Sequence, residues 1–272
     1  SRRMRLWSHA ALKHVIIFLV ILFIFIAGCW LVTMRMPGRN HRGPLPPLTE
    51  AERSLAKSLK LDVLKIAGGI GPRNIFKPAA YQRAAELIER ALAKAGLQTN
   101  RQTFTAQRET CVNLIGELKG TTRADEIVVV GAHYDTCFNT PGANDNGSGV
   151  AAMLALARTL APTKPARTLR FVAFANEEPP FFQSPEMGSL VYAKACRERG
   201  DKIVATLVLE TIGFYTDKPG SQRYPFPLSL FYPSRGNFVA FVSRTADAGL
   251  VRKCIASFRR NAQFPSEGAA LP

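Results

Sequence analysis

A chain of 272 residues, 47% of them apolar, is long enough for one full domain with a sizeable core and a short appendage. Its net charge of +16 suggests a nucleic-acid partner, but the placement of the charge argues against one. Arg2, Arg3, Arg5, Lys13, Arg35, Arg39 and Arg42 stand among the first 49 residues with no acid and flank an apolar segment, while the remaining excess is dispersed and mostly Arg, as on a solvated surface.

Residues 1–14 form a basic terminus, and residues 15–34, VIIFLVILFIFIAGCWLVTM, are twenty uncharged residues, the length of a membrane-spanning helix. The denser positive cluster precedes the span, which predicts a cytoplasmic amino end and an exported remainder. Three readings stay open: an uncleaved anchor, a cleaved signal peptide, and a lipoprotein attached through Cys29, because Ile26-Ala27-Gly28-Cys29 resembles a lipobox. All three put the remainder outside the cytoplasm. Residues 35–48, rich in Pro, Gly and Arg, read as a linker, and residues 49–272 as the folded domain. The five cysteines include no CxxC pair, so they signal neither a zinc knuckle nor a redox couple.

Thr49 and Glu52 make a capping box ahead of a helix carrying Leu55, Leu59, Val63 and Ile66 at helical spacing, which Gly68, Gly69, Gly71 and Pro72 stop. A second helix is predicted over 78–95. Strands are predicted near 98–105 and 113–119, with a buried one at Ile127–Val130. An Ala- and Leu-rich helix follows over 150–160, then a strand over 169–175, a helix over 187–199 and a strand over 203–212. Residues 228–232 read as another strand, 237–262 as a helix weakened at Gly249, and the last three residues as loop. The β-α-β-α-β alternation predicts an α/β fold with a mixed, mostly parallel sheet covered on both faces.

In such sheets, ligands bind beyond the carboxyl ends of the strands. His133 and Asp135 follow one buried strand, and Asp145 follows in a Gly- and Asn-rich turn. Glu177 and Glu178 end the next strand, and Glu210 stands near the end of a third. Adjacent carboxylates repel unless a cation compensates them, and a charge in an apolar strand is costly unpaired. These residue types at three neighbouring strand ends outline a divalent-metal site. Asn146-Gly147-Ser148 matches a glycosylation sequon, which its place beside the crevice makes incidental. Ser148 has no GxSxG frame, so a serine hydrolase is disfavoured.

GAHYD, GANDNGSG, FANEE and LETIG, in that order, resemble the di-zinc aminopeptidases of metallopeptidase family twenty-eight, whose superfamily also holds glutaminyl cyclases and transferrin-receptor-like ectodomains. The resemblance covers about residues 50 to 260. It implies a three-layer α/β/α zinc-peptidase fold and two zinc ions. His133 would bind one zinc with Glu210, which stands where the family most often has Asp. Asp145 would bridge the two ions, Glu178 would bind the second, Glu177 would be the general base, and Asp135 would hold the His133 ring. It also implies peptide substrates with a free amino terminus. A glutaminyl cyclase and a non-catalytic ectodomain are the alternatives. The family completes its second zinc with a downstream His. No His follows His133, so the chain reads as truncated at its carboxyl end, with one zinc site incomplete and activity dependent on that missing ligand.

Overall fold

The computed structural model describes residues 9 to 271. The basic residues before position 9, part of the predicted cytoplasmic terminus, lie outside them. Helix α1 (His9–Thr33) contains the stretch Ala11–Thr33, which is long and apolar enough to cross a membrane; a signal sequence passes the same test. The chain divides into two compact units, Leu48–Phe214 and a second built from residues 1–47 with 215–272.

The Leu48–Phe214 unit opens with α2 (Glu50–Val63). Its capping box is formed: the Thr49 hydroxyl oxygen accepts the Glu52 N–H, and the Glu52 carboxylate accepts the Thr49 N–H. The helix does not stop at Gly68. It widens into a π-helical segment (Leu64–Ile70) that runs through Gly68 and Gly69 and ends at Gly71, whose φ of 77° suits a residue without Cβ. Helix α3 (Pro78–Lys94) follows, with proline in its first turn, where a missing N–H costs nothing.

Five strands then build one sheet: β1 (Gln98–Ala106), β2 (Glu109–Leu118), β3 (Arg123–His133), β4 (Arg167–Phe174) and β5 (Lys202–Val208), in the order β1-β2-β4-β3-β5. β1 and β2 form an antiparallel pair, β2 is antiparallel to β4, and β3 lies parallel between β4 and β5. Helix α4 (Gly147–Leu160) joins β3 to β4, and α5 (Gly188–Arg199) joins β4 to β5. Successive strand residues point to opposite faces. Val130, Ala132, Phe171 and Ala173 accordingly enter the core shared with α3 and α4, while Ile127, Val129, Val172 and Phe174 meet Tyr192 and Cys196 of α5. The result is three layers around a mixed sheet, with the C-terminal ends of parallel β3, β4 and β5 side by side. β5 stops at Val208: the Leu209 N–H makes the last bond, to the Gly131 carbonyl, and Thr211 then takes a φ of 44°. Glu210 therefore sits on a loop rather than within the strand predicted to reach residue 212.

The second unit departs most from expectation. Residues 228–232 are not a strand. The amides that a ladder would need are used locally: Leu228–Leu230 closes as a 3₁₀ turn behind Pro225 and Pro227, with Leu228 and Leu230 donating to the Pro225 and Pro227 carbonyls. Residues 237–262 are not one helix. β6 (Val239–Arg244) alternates in burial, a short 3₁₀ turn (Thr245–Asp247) follows, and only then comes α6 (Ala248–Asn261). The predicted terminal loop is instead β7 (Ser266–Leu271), paired in parallel with β6. A strand whose partner lies across a helix carries no local sign of its pairing. Residues of the 35–48 segment are fastened within this unit. Asn40 accepts the Ser266 N–H at 2.8 Å and donates to Glu267 at 3.0 Å, and Arg259 donates to the Pro37 and Gly38 carbonyls.

Candidate metal centre

All six residues singled out from the sequence lie in the Leu48–Phe214 unit, at the C-terminal ends of β3, β4 and β5. His133 is the last residue of β3 and is 3% exposed. Its Nδ1 stands 3.4 Å from Asp135 Oδ1; its Nε2 stands 3.0 Å from Asp145, 3.4 Å from Glu210 and 3.8 Å from Glu177. Neither ring nitrogen completes a hydrogen bond of normal geometry. The buried ring thus faces several carboxylates at ion-pair distance without a hydrogen bond of normal geometry to any of them, an arrangement of donors that a divalent ion would complete. Burial by itself would lower the basicity of the ring, but Asp135, Asp145 and Glu210 outweigh it and push the pKa up to about 12.

Asp145 precedes α4 but does not cap it. That task belongs to Asn146, whose side-chain oxygen accepts the Gly149 N–H at 3.0 Å and whose amide donates to the Leu209 carbonyl and to Glu210. Asn146 is fully buried, which bears out the sequon as incidental. Gly149 is dictated by this packing: a Cβ there would collide with the Asn146 side chain and the Leu209 carbonyl. Asp145 is thus left free to turn toward His133, which lowers its pKa. Glu177 and Glu178 lie three and four residues past β4. Both backbone N–H groups donate to the two oxygens of Asp135, at 3.1 and 3.0 Å. Desolvation first, then the neighbouring carboxylates, raises both side chains, Glu178 to about 7.

Donor atoms from His133, Asp145 and Glu210 fall within 4.8 Å of one another, and so do those from His133, Glu177 and Glu178. The two groups share one imidazole. A single His with carboxylates suits zinc or another divalent ion, and the unmet ring nitrogens make the first group fit it well. The second group has no imidazole of its own. Arg73, in the GPRN turn after the π-helical segment, is also buried beside this site and donates to the Tyr134, Pro141 and Gly142 carbonyls; a lone Arg between Gly-Pro and Asn in an otherwise apolar neighbourhood is the sequence signal for it.

An α/β domain with a mixed sheet and a His–carboxylate cluster at its parallel strand ends defines a class, that of the zinc-peptidase fold. The comparisons agree. The model of "Peptidase family M28" matches residues 113–234. The Escherichia coli protein YfbL is 35% identical over 252 residues, covering 89% of this chain and 74% of its own length. The chain belongs to peptidase family M28. Over shorter stretches it is 36% identical to leupeptin-inactivating enzyme 1 of Streptomyces exfoliatus (52% of this chain, 32% of that one) and 45% identical to aminopeptidase YwaD of Bacillus subtilis (28% and 17%). It spans about a third of the former relative's length or less of the latter's. Among solved structures, Tannerella forsythia glutaminyl cyclase superposes with a TM-score of 0.59 at 23% identity over 80% of this chain and 78% of that one. BSAP, a zinc aminopeptidase from Bacillus subtilis, superposes with a TM-score of 0.54 at 16% identity over 79% and 84%. At such identities these two show the fold alone.

Proposed function

We propose that the chain is a zinc-dependent aminopeptidase, held at a membrane by α1 with its amino end cytoplasmic and its remaining domain exported. The carrying observation is the buried His133 imidazole, unmet at both nitrogens and faced by Asp145 and Glu210. In this reading His133, Asp145 and Glu210 would hold one zinc, and Asp145 and Glu178 would serve a second. Bound zinc would supply Lewis acidity, acidifying a water and polarising a peptide carbonyl.

The chain's own residues do the rest. Glu177 takes a proton from the attacking water and returns it to the leaving amine; its raised pKa suits it to both transfers. Asp135, 3.4 Å from Nδ1, would orient the His133 ring as a ligand. The acidic surroundings attract a substrate's protonated α-amino group, which favours peptides with a free amino terminus.

The test is metal content by elemental analysis together with turnover of aminoacyl chromogenic substrates, with a Gln-initiated peptide assayed beside them. Zinc uptake lost in His133→Ala, with aminoacyl hydrolysis in the parent chain, is the expected result. A parent chain that takes up no zinc, or that only cyclises the Gln peptide, would overturn the proposal.

A further inference from the structure

Arg73 lies on the turn between the π-helical segment and α3 and is completely buried. A buried guanidinium is tolerated only when its N–H groups are met. Here Nε donates to the Tyr134 carbonyl at 2.6 Å, Nη1 to the carbonyls of Pro141 at 2.7 Å and Gly71 at 3.2 Å, and Nη2 to that of Gly142 at 3.0 Å. Its backbone is bound as well: the Arg73 N–H donates to the Thr136 hydroxyl oxygen, and the Arg73 carbonyl accepts the Thr136 N–H, both at 3.0 Å. Every side-chain partner is a carbonyl. The charge itself is balanced at longer range by Asp135 and Asp145.

These partners are not scattered. Tyr134 and Thr136 flank Asp135 at the start of the loop that leaves β3. Pro141 and Gly142 stand at its far end, four and three residues ahead of Asp145. The loop is wrapped on the guanidinium closely enough to exclude a side chain at Gly142. A Cβ there would lie 2.6 Å from the Asp145 carbonyl oxygen and 3.2 Å from Nη2, and would collide with the Thr136 methyl. At Gly142 φ is 57°, which also favours glycine.

We infer that Arg73 is a positioning residue for the metal centre: by gripping both ends of the 134–142 loop it fixes His133 against Asp145, and its permanent charge offsets the repulsion among the carboxylates there. The inference rests on the reading of His133 and Asp145 as ligands. Lysine would keep the charge but present one point with three donors in place of a planar fork, so it cannot span both ends of the loop. Methionine keeps much of the volume and loses both charge and donors.

The experiment uses the full chain as Arg73→Lys and Arg73→Met, with Ile88→Ala in the α3 core as a destabilised control. Two readouts are taken: hydrogen exchange of the amides of residues 134–146 in metal-free protein, and the zinc dissociation constant by chelator competition. Faster exchange confined to that loop and a zinc affinity weakened about 10-fold or more are expected in both variants, with neither change in Ile88→Ala. Variants that melt earlier, as Ile88→Ala does, yet keep wild-type loop exchange and zinc affinity would reduce Arg73 to an ordinary core residue and overturn the inference. Should the wild-type chain itself take up no zinc, the ligand reading fails; the exchange readout still decides whether Arg73 clamps the loop.

Discussion

Asp135 Oδ1 accepts the backbone N–H of Glu177 at 3.1 Å while lying 3.4 Å from His133 Nδ1. One buried carboxylate therefore ties the loop after β3 to the loop after β4, since its other oxygen takes the N–H of Glu178. Asparagine in its place has a single acceptor oxygen and turns an NH₂ toward a second donor. Asp135→Asn is expected to fold, to bind zinc more weakly and to lose about 10- to 100-fold in kcat/KM, the range found when a partner of a metal ligand is removed. Zinc titration beside steady-state kinetics checks this. An unchanged kcat/KM would show that the tie between the loops is dispensable.

Glu177 has the steepest expected effect. Its backbone is fixed by Asp135, its side chain is about one-third exposed, and its oxygen approaches His133 Nε2 to 3.8 Å. Glu177→Gln keeps the size and removes the basic oxygen. Turnover should fall by about 10²-fold or more while zinc content stays near that of the parent chain. Substantial activity in this variant would move the base elsewhere. A large loss of zinc would make Glu177 a ligand.

How much of this was legible before the structure depended on the range of the interactions. β3, β4 and β5 announce themselves as apolar runs of strand length, β-branched in β3 and β5, and His133, Asp145, Glu177, Glu178 and Glu210 stand at their ends or in the loops that follow. The double acceptance by Asp135, the bond from the Asn146 amide to the Leu209 carbonyl, and the grip of Arg73 on two ends of a loop join residues from 42 to 69 positions apart. Nothing local marks them. The carboxyl-terminal region misled for the same reason. The apolar content of Val239–Arg244 fits a helix as well as a strand until β7 is seen beside it, and the prolines at 225 and 227 outweigh the apolar residues that follow them.

The metal-free centre sets a pH dependence. Glu177 and Glu178 have folded pKa values raised above their ordinary 4.5, Glu178 to about 7, and His133 is raised from 6.5 to about 12. Across these windows the folded chain binds more protons than the unfolded one, so stability declines as pH rises. A chelator-treated sample should melt at progressively lower temperature from pH 5 to pH 9. Zinc, which needs the deprotonated donors, should bind more tightly and stabilise more as pH rises over the same range. Parallel melting curves with and without zinc test both signs, and an apo melting temperature that climbs with pH would contradict the raised proton affinity of the cluster.

In the unit formed by residues 1–47 and 215–272, Asn40 reaches 226 positions along the chain to accept the N–H of Ser266, a residue with no exposure to solvent, and 227 to hold the Glu267 carboxylate. The Asn40 amide thus meets a buried donor and a half-buried acid together. Removing it in Asn40→Ala leaves the Ser266 N–H without that partner, at a cost of about 1–3 kcal/mol. Arg259 would still bind the Pro37 and Gly38 carbonyls, at 3.1 and 3.3 Å, so one substitution should loosen the segment and the pair Asn40→Ala with Arg259→Met should release it. The measure is limited proteolysis of the chain in detergent micelles. Cleavage within 35–48, where Arg39 and Arg42 offer tryptic sites, should be slow in the parent, faster in the single variant and fastest in the double one. Equal rates in all three would mean that the segment behaves as a free linker despite these bonds.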